Sequence, residues 1–511
     1  MCAVPDNRCT APLRVRAFLI LLAVTLSVCA PLRLAAQVAV ATAHTAANDL
    51  LSSAEAHART RMQDDLAALQ AYRPEYPFWR YIFTVPDGAV IFGSAVDGRL
   101  LATFPVAGDW TRNGLWEERF LADTLAGRKL PRDLADRRRE VARLLESAVG
   151  PVVHNATRGR FLLPNERRYG GFLDEWAAIY ERFGVPAEIG LAQALVESGL
   201  NGTVRSEARA IGFCQWLVSN WNRLKRLSPQ VIEGYNQTTQ APYCAAYLSI
   251  LATKYGSFIP ALSEHHAGGT NIGRTLINGE RLGGATTRDR YFLGSDLARD
   301  LREMSPRTYR DVYGSYGPRS IRYAEMVFGN AANVERIRAA VAQSKIYAMR
   351  LPRAVTLADI ARRASLPTDE VRRYNPALTT RAPAGATLYL PSHIADFGLD
   401  VAFWHRPPGR AYAEVLDQFV RLDVSPGEWD SAPFDGVLED FRRRFAATKS
   451  EEGTVMATAL GYAMQDRRGS RQAVILADFR TDARILRLFQ QAQHQREEFR
   501  AANAAAAITT D

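Results

Sequence analysis

Between about Arg160 and Ala332 the chain reads as helix after helix, cut by glycines and prolines. No other feature restricts the fold as much. A third of the chain with apolar residues at helical intervals can be buried only by packing helices on one another. The clearest of these helices lies within 186–199. Ile189, Ala192, Leu195 and Val196 fall on one apolar face. Pro186 and Glu188 are start signals, and Gly199 suits the position just past the end. Glu197 then stands in the last turn of an otherwise apolar helix. Partial burial and the negative end of the helix dipole both favour its protonated form, the state a general acid needs. The plainer alternative is that Glu197 accepts a hydrogen bond from the loop behind it.

The flanks carry other patterns, as expected for 511 residues, enough for roughly three to four domains. Residues 1–36 read as an export signal. Arg8, Arg14 and Arg16 precede the apolar run Ala17 to Ala30, and small residues stand at Ala35 and Ala36. The run is too short to span a bilayer, which takes about 20 residues. "LSVC", ending at Cys29, offers a lipidation box, although Val28 is bulky beside the cut. Residues 37–160 are expected to hold an N-terminal helix over 45–72 and a small β-meander over 78–104, with turns at Pro86-Asp87-Gly88 and Asp97-Gly98. A charged helical stretch follows over 113–149. Residues 343–393 read as strand, helix, helix, strand, with Leu357, Ile360, Ala361, Val371 and Tyr374 at core spacing. Residues 394–511 are helical, rich in Arg and Gln, and carry no motif.

The formal charge of +10 falls to about +7 once the four arginines and one aspartate of residues 1–36 are removed. A basic exported protein suits anionic partners such as cell-wall polymer or acidic lipid. Nucleic acid is not among the expected partners, because no aromatic-studded basic stripe or zinc-finger spacing is present. Of five cysteines, Cys2, Cys9 and Cys29 fall in the signal, leaving Cys214 and Cys244. An even count in an oxidising compartment permits one disulfide, and two buried thiols are the alternative.

Behind Glu197-Ser198 comes "SEARAIGFCQW", with Ser206 nine positions after the glutamate and Gln215 eighteen. This resembles the lytic transglycosylases of the goose-lysozyme-like superfamily, whose signature is an "ES" pair followed at that separation by "S-x-A-x-A-x-G-x-x-Q". "CAAYLSILATKYGSFIPAL" is similar to the family's next helix. "HHAGG" (His265 to Gly269) stands where the family has "YNAG", so His265 and His266 replace a Tyr-Asn pair. "RYAEMVF" is similar to its late helix, which would put Tyr323 beside the glutamate. The resemblance covers 161–335. Residues 343–393 resemble a LysM module in "TLADIA", "YNPAL" and "GATLYLP", with Ala354-Val355 where Gly-Asp is usual. The order of the two matches the membrane-bound lytic murein transglycosylase D group.

The resemblance implies a mainly α protein. It would have a lysozyme-like α+β catalytic domain, a small β-containing domain before it, a βααβ LysM-like module, and a helical C-terminal region. Glu197 would be the single acid/base. Ser198, Ser206, Gln215, His265, His266 and Tyr323 would handle the glycan or orient Glu197; a Cys214–Cys244 bridge, if it forms, would pin the hairpin carrying Gln215 to the next helix. The substrate would be peptidoglycan glycan strands, cleaved between MurNAc and GlcNAc with 1,6-anhydro ring closure. The single acid/base mechanism needs no metal or organic cofactor, and Glu264-His265-His266 is not expected to be a metal site, because three adjacent residues cannot all face one ion. Rival expectations are a hydrolytic lysozyme and a glycan-binding protein without activity. The protein would be exported, periplasmic or otherwise associated with the envelope, including peripherally with a membrane.

Overall fold

The structure, a computed structural model, describes residues 45–313 and 318–476 together with 487, 490, 491, 494, 497 and 498. The expected export signal, with Cys2, Cys9 and Cys29, lies outside these residues. The described chain is mainly helical. Helix α1 (45–72) presents Ala54, Ala58 and Leu69 to the central core at helical spacing.

The stretch 78–104, expected as a β-meander, is β only in its second half. Tyr76–Arg80 is a 3-10 turn and Tyr81–Thr84 a short helix, α2. The reason is packing: Phe78, Trp79, Ile82 and Phe83 stand at helical intervals and enter the central core together. The sheet comes after them. It comprises β1 (Ala89–Ser94), β2 (Leu100–Pro105), β3 (Leu115–Trp116, after the short helix α3, Trp110–Asn113) and β4 (Val152–Ala156, after α4, Leu134–Val149). Its order is β3-β2-β1-β4, antiparallel throughout. Helix α4 lays Val141, Leu144 and Leu145 on Val90, Phe92, Leu101 and Phe104, which gives this unit a core of its own.

The main body follows: α5 (Gly159–Tyr169), α6 (Leu173–Glu181) and α7 (Ala187–Ser198). A two-stranded hairpin, β5 (Ala210–Ile211) and β6 (Trp216–Leu217), leads into α8 (Val218–Leu227) and α9 (Gln237–Tyr255). Helices α10 (Phe258–Ala267), α11 (Gly269–Arg281), α12 (Thr287–Met304), α13 (Pro306–Tyr313), α14 (Pro318–Ile321) and α15 (Tyr323–Ala340) complete it. Helices α7 and α9 are central: ten of the twelve residues of α7 are buried, and all nineteen of α9.

Beyond it, β7 (Tyr347–Arg350), a short ladder of β8 (Val355–Thr356) with β9 (Arg381–Ala382), α16 (Leu357–Ala364), α17 (Thr368–Tyr374) and β10 (Thr387–Leu390) make a strand–helix–helix–strand unit. A third strand, β11 (Leu399–Asp400), joins the edge of β7, so the sheet runs past the boundary expected at 393. Alternation across the pleat explains how this unit sits. Met349, Leu388 and Leu390 face its own helices, while Ala348 and Tyr389 enter the central core. Both faces of its sheet are thus buried. The last helices, α18 (Arg410–Val420), α19 (Pro426–Trp429), α20 (Phe434–Ala447) and α21 (Glu451–Leu476), also pack into the central core. No helix of the described residues is long and apolar enough to cross a membrane.

Candidate functional site

Helix α7 ends as the sequence suggests. Gly199 takes a left-handed φ of 59° and its N–H bonds the Leu195 carbonyl at 2.9 Å. A Cβ there would lie 2.1 Å from the Phe161 carbonyl oxygen, so both backbone shape and space require glycine. Pro186 caps the start instead of occupying the first turn. Glu197 is thereby held in the last turn with 11% of its side chain exposed.

Two neighbours converge on one oxygen of Glu197. The Tyr323 hydroxyl, from the first residue of α15, donates to Oε1 at 2.6 Å. Tyr323 is buried, and burial followed by the adjacent carboxylate raises its pKa well above the ordinary value, so it remains a donor. On the other side His265 Nε2 lies 3.7 Å from the same oxygen. That is beyond hydrogen-bond reach. His265 instead sets Nε2 2.9 Å from the Cys214 carbonyl, while its Nδ1 receives the Trp216 indole N–H at 3.2 Å. These two bonds define the tautomer with the proton on Nε2. Burial pushes its pKa down to about 4, against the opposing carbonyl bond. At neutral pH the contact with Glu197 is therefore between a carboxyl group and an uncharged ring.

The hairpin facing Glu197 is built from residues the sequence marked for sugar contact. Ser206 accepts the Ala210 N–H at 2.9 Å on its hydroxyl and donates its own N–H to the Ala210 carbonyl at 2.9 Å. Gln215, at a φ of 51°, uses Nε2 on the carbonyls of Gly212 (2.9 Å) and Val204 (3.2 Å). Gly212 is also left-handed, and a Cβ on it would meet Gln240 Nε2 at 2.0 Å. Gln240, from α9, receives the Phe213 N–H at 2.8 Å. The Cys214–Cys244 disulfide fixes the same loop to the same helix.

The expected roles therefore divide. Glu197, His265, His266 and Tyr323 meet in one place. His266 stacks on Tyr323 with ring centroids 4.5 Å apart, and its Nδ1 lies 3.0 Å from the Ser320 hydroxyl. Ser198 does not join them. It is fully buried and its hydroxyl donates to the Ala194 carbonyl at 2.9 Å, so it offers nothing to a ligand. The reason is its place one residue past Glu197, which turns it onto the inner face of α7. Ser206 and Gln215 spend the polar groups just described on the shape of the loop. Sequence reasoning missed Trp216, whose indole orients His265. Its position right behind Gln215 was the available signal.

A separate cleft of about 630 Å³ opens beside α15, lined in part by Arg158, Arg299, Arg302 and Arg322 with Trp79 as one wall. Compared with models of known protein families and with curated proteins, the chain matches none.

Proposed function

We propose that this protein is a peptidoglycan lytic transglycosylase with Glu197 as its single acid/base. One observation carries the reading: the Tyr323 hydroxyl bonded to Glu197 at 2.6 Å, at a glycine-capped helix end that faces a pinned hairpin. A phenol that stays protonated orients the carboxyl group through both of its charge states. In the reaction Glu197 gives its proton to the glycosidic oxygen as the bond from C1 of MurNAc breaks. The resulting carboxylate then takes the proton of the C6 hydroxyl while that oxygen bonds to C1, closing the 1,6-anhydro ring. Protons balance within the cycle and no water is consumed. The N-acetyl group of the substrate would stabilise the cationic C1 in place of the second carboxylate used by most glycosidases. The steps call for no metal or organic cofactor.

Within this reading 161–335 is a lysozyme-like domain and 343–393 a LysM-like element. Because the sheet of that element is docked on the central core, it would present glycan at a fixed distance from Glu197 and not on a tether. The net positive charge and the arginine-rich cleft favour an anionic polymer. The protein would act after export, in the periplasm or at the envelope. The test is mass spectrometry of purified peptidoglycan digested by the protein. Anhydromuramyl fragments support the proposal. Fragments heavier by one water would make it a hydrolase, and intact polymer would reject the activity.

A further inference from the structure

The region after residue 394 carries no motif, yet one of its side chains reaches the candidate site through a single intermediary. Tyr462, on α21, stacks face to face on Trp216 with centroids 5.3 Å apart and planes 17° apart. Trp221 and Tyr247 close the other sides of the indole at 4.8 and 5.1 Å. Both rings of the stack are nearly fully buried. This box leaves the Trp216 N–H a single direction, toward His265 Nδ1. Helix α21 is itself anchored: Arg223 bonds Asp466 at 3.3 Å and lies over the Tyr462 ring, and Glu451 pairs with Arg350 at 3.0 Å.

We infer that α21 is a positioning element of the site: Tyr462 holds Trp216, Trp216 holds the Nε2-protonated tautomer of His265, and His265 holds the space beside Glu197. The catalytic part of this inference rests on the proposed function, but the positioning part does not. If the stack is lost, the indole swings away and Nδ1 opens to water. His265 can then take a second proton 3.7 Å from Glu197. A cation there favours the carboxylate and depletes the acid form needed for the first step. Glu197 on α7 and Tyr247 on α9 lie against His265, and the neighbouring elements carry Arg223 on α8, Glu264 and His266 on its own helix, Tyr323 on α15, and Tyr462 and Asp466 on α21. Of these, Glu197 approaches a ring nitrogen of His265, at 3.7 Å.

The test is an NMR titration of the His265 ring nitrogens in the full chain, for the wild type, Tyr462→Ala and Tyr462→Phe. The expected result is a midpoint near 4 in the wild type and in Tyr462→Phe, which keeps the ring. In Tyr462→Ala it rises by about one unit or more, a tenfold or larger gain in proton affinity. Should Tyr462→Ala not fold, Trp216→Phe, which keeps an aromatic ring against Tyr462 while removing the N–H together with the second ring, is expected to raise the midpoint likewise. An unmoved midpoint in a folded Tyr462→Ala or Trp216→Phe protein overturns the inference, as does a Tyr462→Phe protein that behaves like the alanine variant. On peptidoglycan, Tyr462→Ala should lose kcat toward acidic pH with little change in KM. If the wild type cleaves nothing, the proposed function fails while the titration still decides the positioning claim.

Discussion

Glu197 and Glu264 sit on helices that meet at His265, and they are held in opposite ways. Glu264 accepts from Lys254 Nζ at 3.1 Å and from the Tyr255 hydroxyl, and Lys254 also reaches Asp430 at 3.3 Å. All four are buried, and the pair joins α9 to the turn after α19. Burial alone would lower the Lys254 pKa, yet the two carboxylates hold it above its ordinary value. Its charge is fixed. At Glu197 the contacts that shape the site are a phenol and an uncharged imidazole. Neither fixes the charge of the carboxyl group. The lysine beside Glu264 ties elements together, while in the proposed function the phenol bonded to Glu197 orients an acid that trades a proton.

The comparison can be broken by removing the lysine. Lys254→Met removes the cation shared by two buried carboxylates and should cost about 3–5 kcal/mol of stability, read as a large drop in Tm or in the urea midpoint. Activity per folded molecule should stay within a few-fold. If Lys254→Met instead left Tm unchanged and abolished cleavage, the two acids would have exchanged roles.

A second prediction concerns acid stability. His265 is neutral in the fold with a pKa of about 4, against about 6.5 in the unfolded chain. Below pH 6.5 the unfolded state binds the extra proton, so stability is lost as pH falls from 6.5 toward 4, by up to about 3 kcal/mol. His265→Gln should flatten that slope. His154, also pushed down to about 4 by burial and then Arg138, contributes its own share and should remain in that variant.

The smallest effect sharpens the active side. Tyr323→Phe removes one hydrogen bond to Glu197 and should lower kcat about tenfold while moving Tm little. An unchanged kcat would mean that the phenol does not orient the acid.

How much of this was legible in the residues follows from how local each feature is. The end of α7 was readable because a cap depends on Gly199 and its few neighbours. The strand–helix–helix–strand order over 347–390 was readable from spacing, but β11 was not, since two residues carry no pattern. The run 76–84 misled because its aromatic composition suits strands; its helical interval matters only once a core exists to receive Phe78 and Trp79. The Ser198 hydroxyl could not be read, because its direction depends on which face of α7 the body covers. Composition leaves Cys214 and Cys244 open between a bridge and two thiols, and only the approach of the hairpin to α9 brings them together. Tyr462 was invisible for the same reason: its partner, Trp216, lies far away in sequence.

The most direct measurement is peptidoglycan cleavage by Glu197→Gln, with the fragments weighed and the fold checked by Tm. The account predicts a wild-type Tm and anhydromuramyl release reduced by about 10³-fold. Fragments released by Glu197→Gln at the wild-type rate would contradict it.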